Sequence, residues 1–278
     1  MSYSKIKSRA KINLALNVVG KSKSLHKIES IVSFLDLHDE ILIRKIKSKK
    51  HKIRFTGKFS NGIKSKNTIS QLLEKIDKKK LLKDKYQVIV KKNIPSQAGL
   101  GGGSMNAASI INFFKKKKII KFKQKEIIEI CNSIGSDVLL GIYSKNLILK
   151  PNSIIKILPA KMKFYTLIVK PCFGCSTKKI YSKVKKFTKP ELYSKNVISV
   201  DFLKKMKNDL EIIVLSEYPK LKILKNFLEK QSNIQFARMS GSGSAIIGYF
   251  NSVRKCKEAE KKVKKKFRNY WCKTSKTI

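Results

Sequence analysis

Apolar and polar residues alternate strictly near the start of the chain. Between Ile6 and Val18, the side chains of Ile12, Leu14, Leu16 and Val18 fall on one side, and those of Lys11, Asn13, Ala15 and Asn17 on the other. A period of two predicts a strand, with Lys11 and Asn13 on a shared face. Further strands are predicted over Ser30–Leu35, Glu40–Ile46, Lys52–Thr56 and Tyr86–Lys92. The 3.6-residue period predicts a helix over Ile69–Lys79, started by Asn67 or Thr68 as N-cap. Two more helices are expected, from about Ser104 to Phe114 and from Gln124 to Ile134, the second ending near Gly135.

Asn146–Lys150 and Ser153–Leu158 read as strands, and a domain boundary is expected near Leu158, dividing residues 1–158 from 159–278. The later half predicts a strand over Phe164–Val169, a helix over Lys178–Phe187 and one long helical stretch over Leu203–Lys230. A strand over Phe236–Ser240, a Gly-Ser turn, a strand over Ala245–Phe250, a basic helix over Val253–Arg268 and a last short strand complete it. Strands and helices mix without a regular βαβ period, so the expected fold class is α+β rather than a parallel dinucleotide-binding sheet.

Composition adds one constraint. With 278 residues and 42% hydrophobic content the chain can bury a real core, which argues against disorder. Its 64 basic residues face only 18 acidic ones, a formal net charge of +46 that favours anionic partners. The basic residues run along the whole chain, however, and only six are Arg, the residue suited to base readout. The charge therefore reads as a solvated surface, with no specific nucleic-acid partner. No segment reaches the ~20 apolar residues of a membrane span, and Ile12–Val19 is interrupted by Asn13 and Asn17 where a signal peptide would be apolar. Five cysteines without an export signal predict reduced thiols in a cytoplasmic protein. The single C-x-x-C at Cys172 and Cys175 lacks the second pair that zinc needs.

The strongest chemical signal is the loop Pro95-Ser96-Gln97-Ala98-Gly99-Leu100-Gly101-Gly102-Gly103-Ser104-Met105, between a predicted strand and a predicted helix. Its glycines admit conformations closed to other residues and let backbone approach a ligand closely. The free amides and positive dipole end of the following helix favour an anion. No Asp or Glu occurs from Lys85 to Lys125, so a polyphosphate suits the surroundings. A P-loop would need Gly-Lys-Ser/Thr, and no Lys follows these glycines. A dinucleotide fingerprint would need glycine where Ser104 stands. The H-R-D and D-F-G motifs of protein kinases are absent.

P-x-x-x-G-L-G-G-G-S resembles the ATP loop of the GHMP kinases. Arg9-Ala10-Lys11-Ile12-Asn13-Leu14 resembles that superfamily's first motif, a strand carrying substrate contacts, and Met239-Ser240-Gly241-Ser242-Gly243-Ser244-Ala245 resembles its third, a glycine turn closing over the site. His26 with Ile28-Glu29-Ser30, Phe34-Leu35-Asp36, Ile134-Gly135-Ser136-Asp137-Val138 and Asn208-Asp209-Leu210-Glu211 narrow the likeness to the 4-diphosphocytidyl-2-C-methyl-D-erythritol kinase family.

The resemblance implies a two-lobed fold, with a ribosomal S5 domain 2-like N-terminal domain and a ferredoxin-like C-terminal one. It implies ATP as co-substrate with Mg²⁺, a small-molecule alcohol as acceptor, and a monomer or weak homodimer. Lys11 and Asp137 become the expected catalytic pair, and Pro95 to Met105 the expected ATP contacts. Asn13, His26, Gly241, Ser242 and Gly243 become the expected substrate contacts, with His26 on the cytosine ring. Ser104 is the expected hydroxyl beside Mg²⁺. The chain departs from the family pattern at Leu25, where an aromatic residue usually precedes the histidine, at Ser136 and Leu139 in G-A-D-V-P, at Met105, and at Gln97-Ala98. Another GHMP small-alcohol kinase, of homoserine or mevalonate type, and a basic RNA-binding protein on a related two-layer domain are the alternative readings.

Overall fold

The computed structural model describes residues 2–22, 25–151, 154–159, 163–192, 194–195 and 197–278. Two compact units emerge: Met1–Lys11, Leu37–Ser96 and Gly101–Ser144 form the first, and Ile12–Asp36, Gln97–Leu100 and Lys145–Ile278 the second. Strands β1 (Ser4–Ser22) and β2 (Leu25–Ile46) are long enough to contribute to both.

In the first unit, β4 (Lys85–Lys91) pairs antiparallel with the later part of β2, from Glu40↔Lys91 to Ile46↔Lys85, and parallel with β3 (Lys52–Thr56). Four helices complete it: α1 (Thr68–Lys78), α2 (Gly102–Lys116), α3 (Gln124–Ile134) and α4 (Val138–Tyr143). Helix α1 begins in a capping box, in which the Asn67 side chain accepts from the amides of Ile69 and Ser70 while Ser70 Oγ accepts from the Asn67 amide. Ile69, Leu72, Leu73 and Ile76 form its buried stripe. Helices α2 and α4 meet where a Cβ on Gly141 would stand 2.6 Å from the Ala108 methyl. Small residues let these two backbones approach closely.

In the second unit, Ser30–Val32 of β2 pair with β5 (Leu147–Leu149), which pairs in turn with β6 (Ile155–Ile157). A separate antiparallel sheet has the order β10-β7-β9-β8, built from β7 (Tyr165–Lys170), β8 (Ile234–Met239), β9 (Ile246–Phe250) and β10 (Trp271–Lys276). Helices α5 (Thr177–Ser182), α6 (Val200–Lys205), α7 (Asp209–Glu217), α8 (Pro219–Glu229) and α9 (Val253–Lys266) belong to this unit. Leu221, Leu224 and Leu228 of α8 and Cys256, Ala259 and Val263 of α9 share one core with Leu167, Val169 and Ile246 of the sheet. Each such leucine stabilises the unit by roughly 1.5–3 kcal/mol relative to exposure. Antiparallel pairing with helices segregated from it is the α+β class that the sequence predicts.

Several elements differ from their sequence-based expectations. The runs Ser30–Leu35 and Glu40–Ile46 belong to one strand; Asp36 between them is exposed, but Asp39 is fully buried and accepts from the amides of Asn93 and Ile94. Ala10–Val18 of β1 is buried on both faces, the polar side of Lys11, Asn13 and Asn17 included. Helix α2 starts at Gly102, ahead of Ser104. The stretch Leu203–Lys230 is three helices: Asn208 caps α7, and Pro219, which lacks an amide proton, can only open α8. Helix α5 stops at Ser182 instead of Phe187, and Thr188 then donates its amide to the Val18 carbonyl. The short helix α4 has no counterpart in the sequence prediction. Ser153, the expected start of a strand, lies outside the described residues.

Candidate active site

In the first unit the sequence-predicted pair is together. Lys11 Nζ lies 3.2 Å from Asp137 Oδ2, with the lysine side chain 5% exposed and the aspartate 31%. Asp137 occupies the N-cap position of α4, yet its side chain makes no cap hydrogen bond. An acid at a helix start ordinarily serves its own helix; this one is directed at Lys11 instead. The lysine reaches it across the glycine loop. Gly101 has φ 67, and a Cβ there would stand 2.8 Å from Lys11 Cγ and 3.1 Å from its Cε. Glycine at 101 thus satisfies a left-handed backbone and makes room for the lysine stem.

Gly101 is also the N-cap of α2, and no side chain caps that helix. The first bond of its ladder runs from the Met105 amide to the Gly101 carbonyl, 2.9 Å, so the amides of Gly102, Gly103 and Ser104 begin the helix without an i−4 partner. Thr68 Oγ1 donates to the Gly103 carbonyl at 2.8 Å and fixes this end of the loop to the start of α1. Ser104 Oγ lies 3.7 Å from the position of a Cβ on Gly135, two residues before Asp137. Bare amides at a helix N-terminus, with an ammonium and a carboxylate beside them, can bind a phosphate and move a proton next to it.

The second unit holds the rest of the loop and the glycine turn. Gly99 has φ 72, and a Cβ there would run into the Ser240 carbonyl. Ser240 Oγ donates to the Gly99 carbonyl at 2.9 Å and accepts from the Asn13 amide at 3.2 Å. Ser244 and Ala245 donate their amides to the carbonyls of Gln97 and Ala98. The Asn13 side chain is buried and donates to Ser30 Oγ at 2.8 Å, while its oxygen lies 3.5 Å from a Cβ position on Gly241. Ser242 Oγ and Thr177 Oγ1 are 2.8 Å apart. Asn13, Gly99, Ser240 and the turn Gly241–Gly243 are therefore brought together.

Two groups of residues that sequence reading assigned no role lie against residues that it singled out in the second unit. Asn208 Nδ2 donates to the carbonyls of Met239 and Gly241, at 2.9 and 2.8 Å, and Glu211 Oε2 accepts from the Met239 amide at 2.6 Å. The segment Asn208–Glu211 is what holds the glycine turn, a role its motif signals only as a match. The second group is aromatic. His26 lies 5.1 Å, centroid to centroid, from Tyr181 and 6.5 Å from Phe187, which is half exposed. Burial, and then the charge of Lys21, hold the His26 imidazole below its ordinary value, favouring the neutral ring. Leu25, beside it, is 74% exposed.

Known proteins place this geometry in context. Residues 66–145 match the family model described as GHMP kinases N terminal domain. The chain is 52% identical, over all of both chains, to the 4-diphosphocytidyl-2-C-methyl-D-erythritol kinase of Pelagibacter ubique. It is 32% identical to that of Clostridium tetani, over 99% of this chain and 100% of the relative. In fold it is similar to a crystal structure of 4-(cytidine 5'-diphospho)-2C-methyl-D-erythritol kinase, with TM-score 0.79 and 19% identity over 98% and 99% of the two chains. A homoserine kinase from Cytophaga hutchinsonii follows at TM-score 0.75 and 15% identity, over 100% and 95%. A bare glycine-loop helix start, a Lys–Asp pair beside it and full-length identity above one half agree: the chain belongs to the 4-diphosphocytidyl-2-C-methyl-D-erythritol kinase family, with the GHMP kinase fold.

Proposed function

We propose that this chain transfers the γ-phosphoryl group of ATP to the 2-hydroxyl of 4-diphosphocytidyl-2-C-methyl-D-erythritol, in the non-mevalonate route to isoprenoid precursors. The observation that carries this reading is the Lys11–Asp137 pair, 3.2 Å apart beside the start of the glycine-loop helix. The acceptor oxygen forms a bond to the γ-phosphorus while the bond from that phosphorus to the bridging oxygen of ADP breaks. Asp137 takes the hydroxyl proton, and the Lys11 ammonium offsets charge developing on the transferred group. The loop Pro95–Met105 is the proposed ATP contact, with the amides of Gly102, Gly103 and Ser104 facing phosphate.

Among the described residues, no group of three His, Cys, Asp or Glu side chains could hold a metal ion. Mg²⁺ is proposed to arrive on the triphosphate, with Ser104 Oγ as the candidate protein hydroxyl beside it. When bound, the ion would neutralise charge on the β- and γ-phosphate oxygens.

His26 is the proposed contact of the cytosine ring. Phe187 and Tyr181 beside it are suited to stack that ring where Leu25 supplies no aromatic face. Asn13 and Gly241–Gly243 are proposed to shape the methylerythritol side. Residues 1–158 and 159–278 are read as the N- and C-terminal GHMP domains of a cytoplasmic monomer or weak homodimer without a nucleic-acid partner. Among the described residues, no helix is long and apolar enough to cross a membrane.

A coupled assay for ADP release, with the cytidyl alcohol, homoserine and mevalonate offered in turn, tests the reading. Turnover is expected with the cytidyl alcohol alone. Turnover of either other alcohol without it would overturn the substrate assignment.

A further inference from the structure

Four donors converge on one carboxylate that the chemistry above does not use. Asp39, in the later part of β2, has no exposed side-chain surface, and Lys92, just past β4, has 5%. Lys92 Nζ donates to Asp39 Oδ2, and Asn106 Nδ2 donates to the same oxygen at 3.1 Å. The amides of Asn93 and Ile94 donate to Oδ1 at 2.8 and 2.9 Å. Asn93 Nδ2 adds a bond to the His38 carbonyl at 3.0 Å.

A buried ion pair is a poor source of stability, because desolvating both charges offsets most of their attraction and apolar side chains of similar volume often do as well. What distinguishes this pair is where its partners lie. Asn93 and Ile94 lead directly into Pro95, the first residue of the glycine loop. Asn106 follows Met105, the last. Lys92 Nζ lies 3.2 Å from the position of a Cβ on Gly102, the first residue of α2. The carboxylate also orients Asn106, which must turn its Nδ2 inward and thereby leaves its own buried Oδ1 without a hydrogen-bond partner. A buried acceptor left unsatisfied is a cost, accepted here at the residue that ties α2 to Asp39.

We infer that Asp39 is a positioning residue for ATP: by holding Lys92, both amides that enter the loop and the Asn106 side chain that leaves it, it sets the placement of the α2 N-terminal amides against the phosphates. The inference rests on the reading of the loop as the phosphate site. It concerns nucleotide affinity, and the alcohol acceptor is expected to be indifferent to it.

Two variants separate positioning from stability. Asp39→Asn keeps the shape and leaves the Lys92 ammonium without its countercharge. Asp39→Leu combined with Lys92→Met removes both charges, so no ammonium is left buried alone, but it also takes the acceptor from the Asn93 and Ile94 amides and Asn106 Nδ2, a cost in stability. Asp39→Asn is expected to raise the KM for ATP about tenfold or more, with kcat and the KM for the alcohol changed less than about threefold. The double variant is expected to melt below the parent, and its KM for ATP, measured well below its own melting transition, to be raised at least about fivefold. Should Asp39→Asn fail to fold, the double variant carries the test alone. A folded double variant with the parental KM for ATP would overturn the inference, as would equal rises in both KM values. Binding of a fluorescent ATP analogue, measured without turnover, keeps the two readings apart. A parent chain that binds none removes the phosphate-loop assignment itself. Equal binding by parent and double variant removes only the role of Asp39.

Discussion

Lys11 and Asp137 meet as unequal partners: the ammonium is almost wholly enclosed, the carboxylate is one-third exposed, and 3.2 Å separates them. A proton acceptor must be reachable by its substrate, whereas a cation that steadies charge works best where water is excluded. The asymmetry matches the roles proposed for the two. Asp137→Asn keeps the shape of the side chain and removes its basicity. It is expected to lower kcat by about 10²–10⁴-fold, with ATP binding by calorimetry close to that of the parent. A variant that turns over normally would take Asp137 out of the base role.

Gly101→Ala addresses the same pair from the loop side. At φ 67 a Cβ strains the backbone by about 1–2 kcal/mol. The added methyl would stand 2.8 Å from Lys11 Cγ and displace the lysine stem. Lower kcat together with a lower melting temperature is the expected result, read by steady-state kinetics and thermal denaturation. Loss of melting temperature with kcat intact would show that Lys11 tolerates the shift.

Asn208→Ala removes two hydrogen bonds to the glycine turn and the cap of α7 together. The lost cap alone is worth about 0.5–2 kcal/mol. The turn it releases is proposed to face the acceptor, so the KM for the alcohol is expected to rise more than the KM for ATP. Equal changes in both would reduce Asn208 to a stabilising residue.

Leu25→Tyr restores an aromatic side chain beside His26. Leu25 is 74% exposed, so the replacement meets little steric resistance. An added ring contact is worth about 0.5–1.5 kcal/mol, which corresponds to a roughly two- to tenfold lower KM for the cytidyl substrate. An unchanged KM would indicate that Tyr181 and Phe187 already saturate the base contact.

Acid should weaken the same contact. Burial and Lys21 lower the His26 value in the folded chain, so between that value and about 6.5 the unfolded chain binds more protons. The stability this histidine contributes is thus present above the unfolded value and is lost as pH falls through the folded one. The KM for the cytidyl substrate is expected to stay flat from about pH 7 upward and to rise only as pH falls past the free-histidine value of about 6.5 toward the lower folded one. Titration of the imidazole by NMR gives the direct check, and a midpoint above that of a free histidine would contradict it.

Much of the site is written in short segments of sequence. The glycines at 99, 101, 102 and 103 announce close backbone approach wherever they occur, and the helix that follows them announces free amides. Alternation in β1 and the stripe of α1 are equally local, since each reports only which side of an element avoids water. The bounds of α3 follow from its own residues, Gln124 to Ile134.

What sequence leaves open are the partners of polar groups. Asp39 reads as a break between two strands, yet it sits inside one, fully buried, because amides 54 and 55 residues away satisfy it. Asn208 reads as a matched motif, and only its bonds to Met239 and Gly241 make it the support of the glycine turn. Phe187 reads as the end of a helix until Thr188 bonds to Val18 and leaves the ring beside His26. The sequence by itself determined the glycine loop, the class of fold and the residues able to do chemistry. Which of those residues meet was decided by tertiary structure, because a buried charge or amide is stable only opposite a specific partner, and that partner's position is not a local property of the chain.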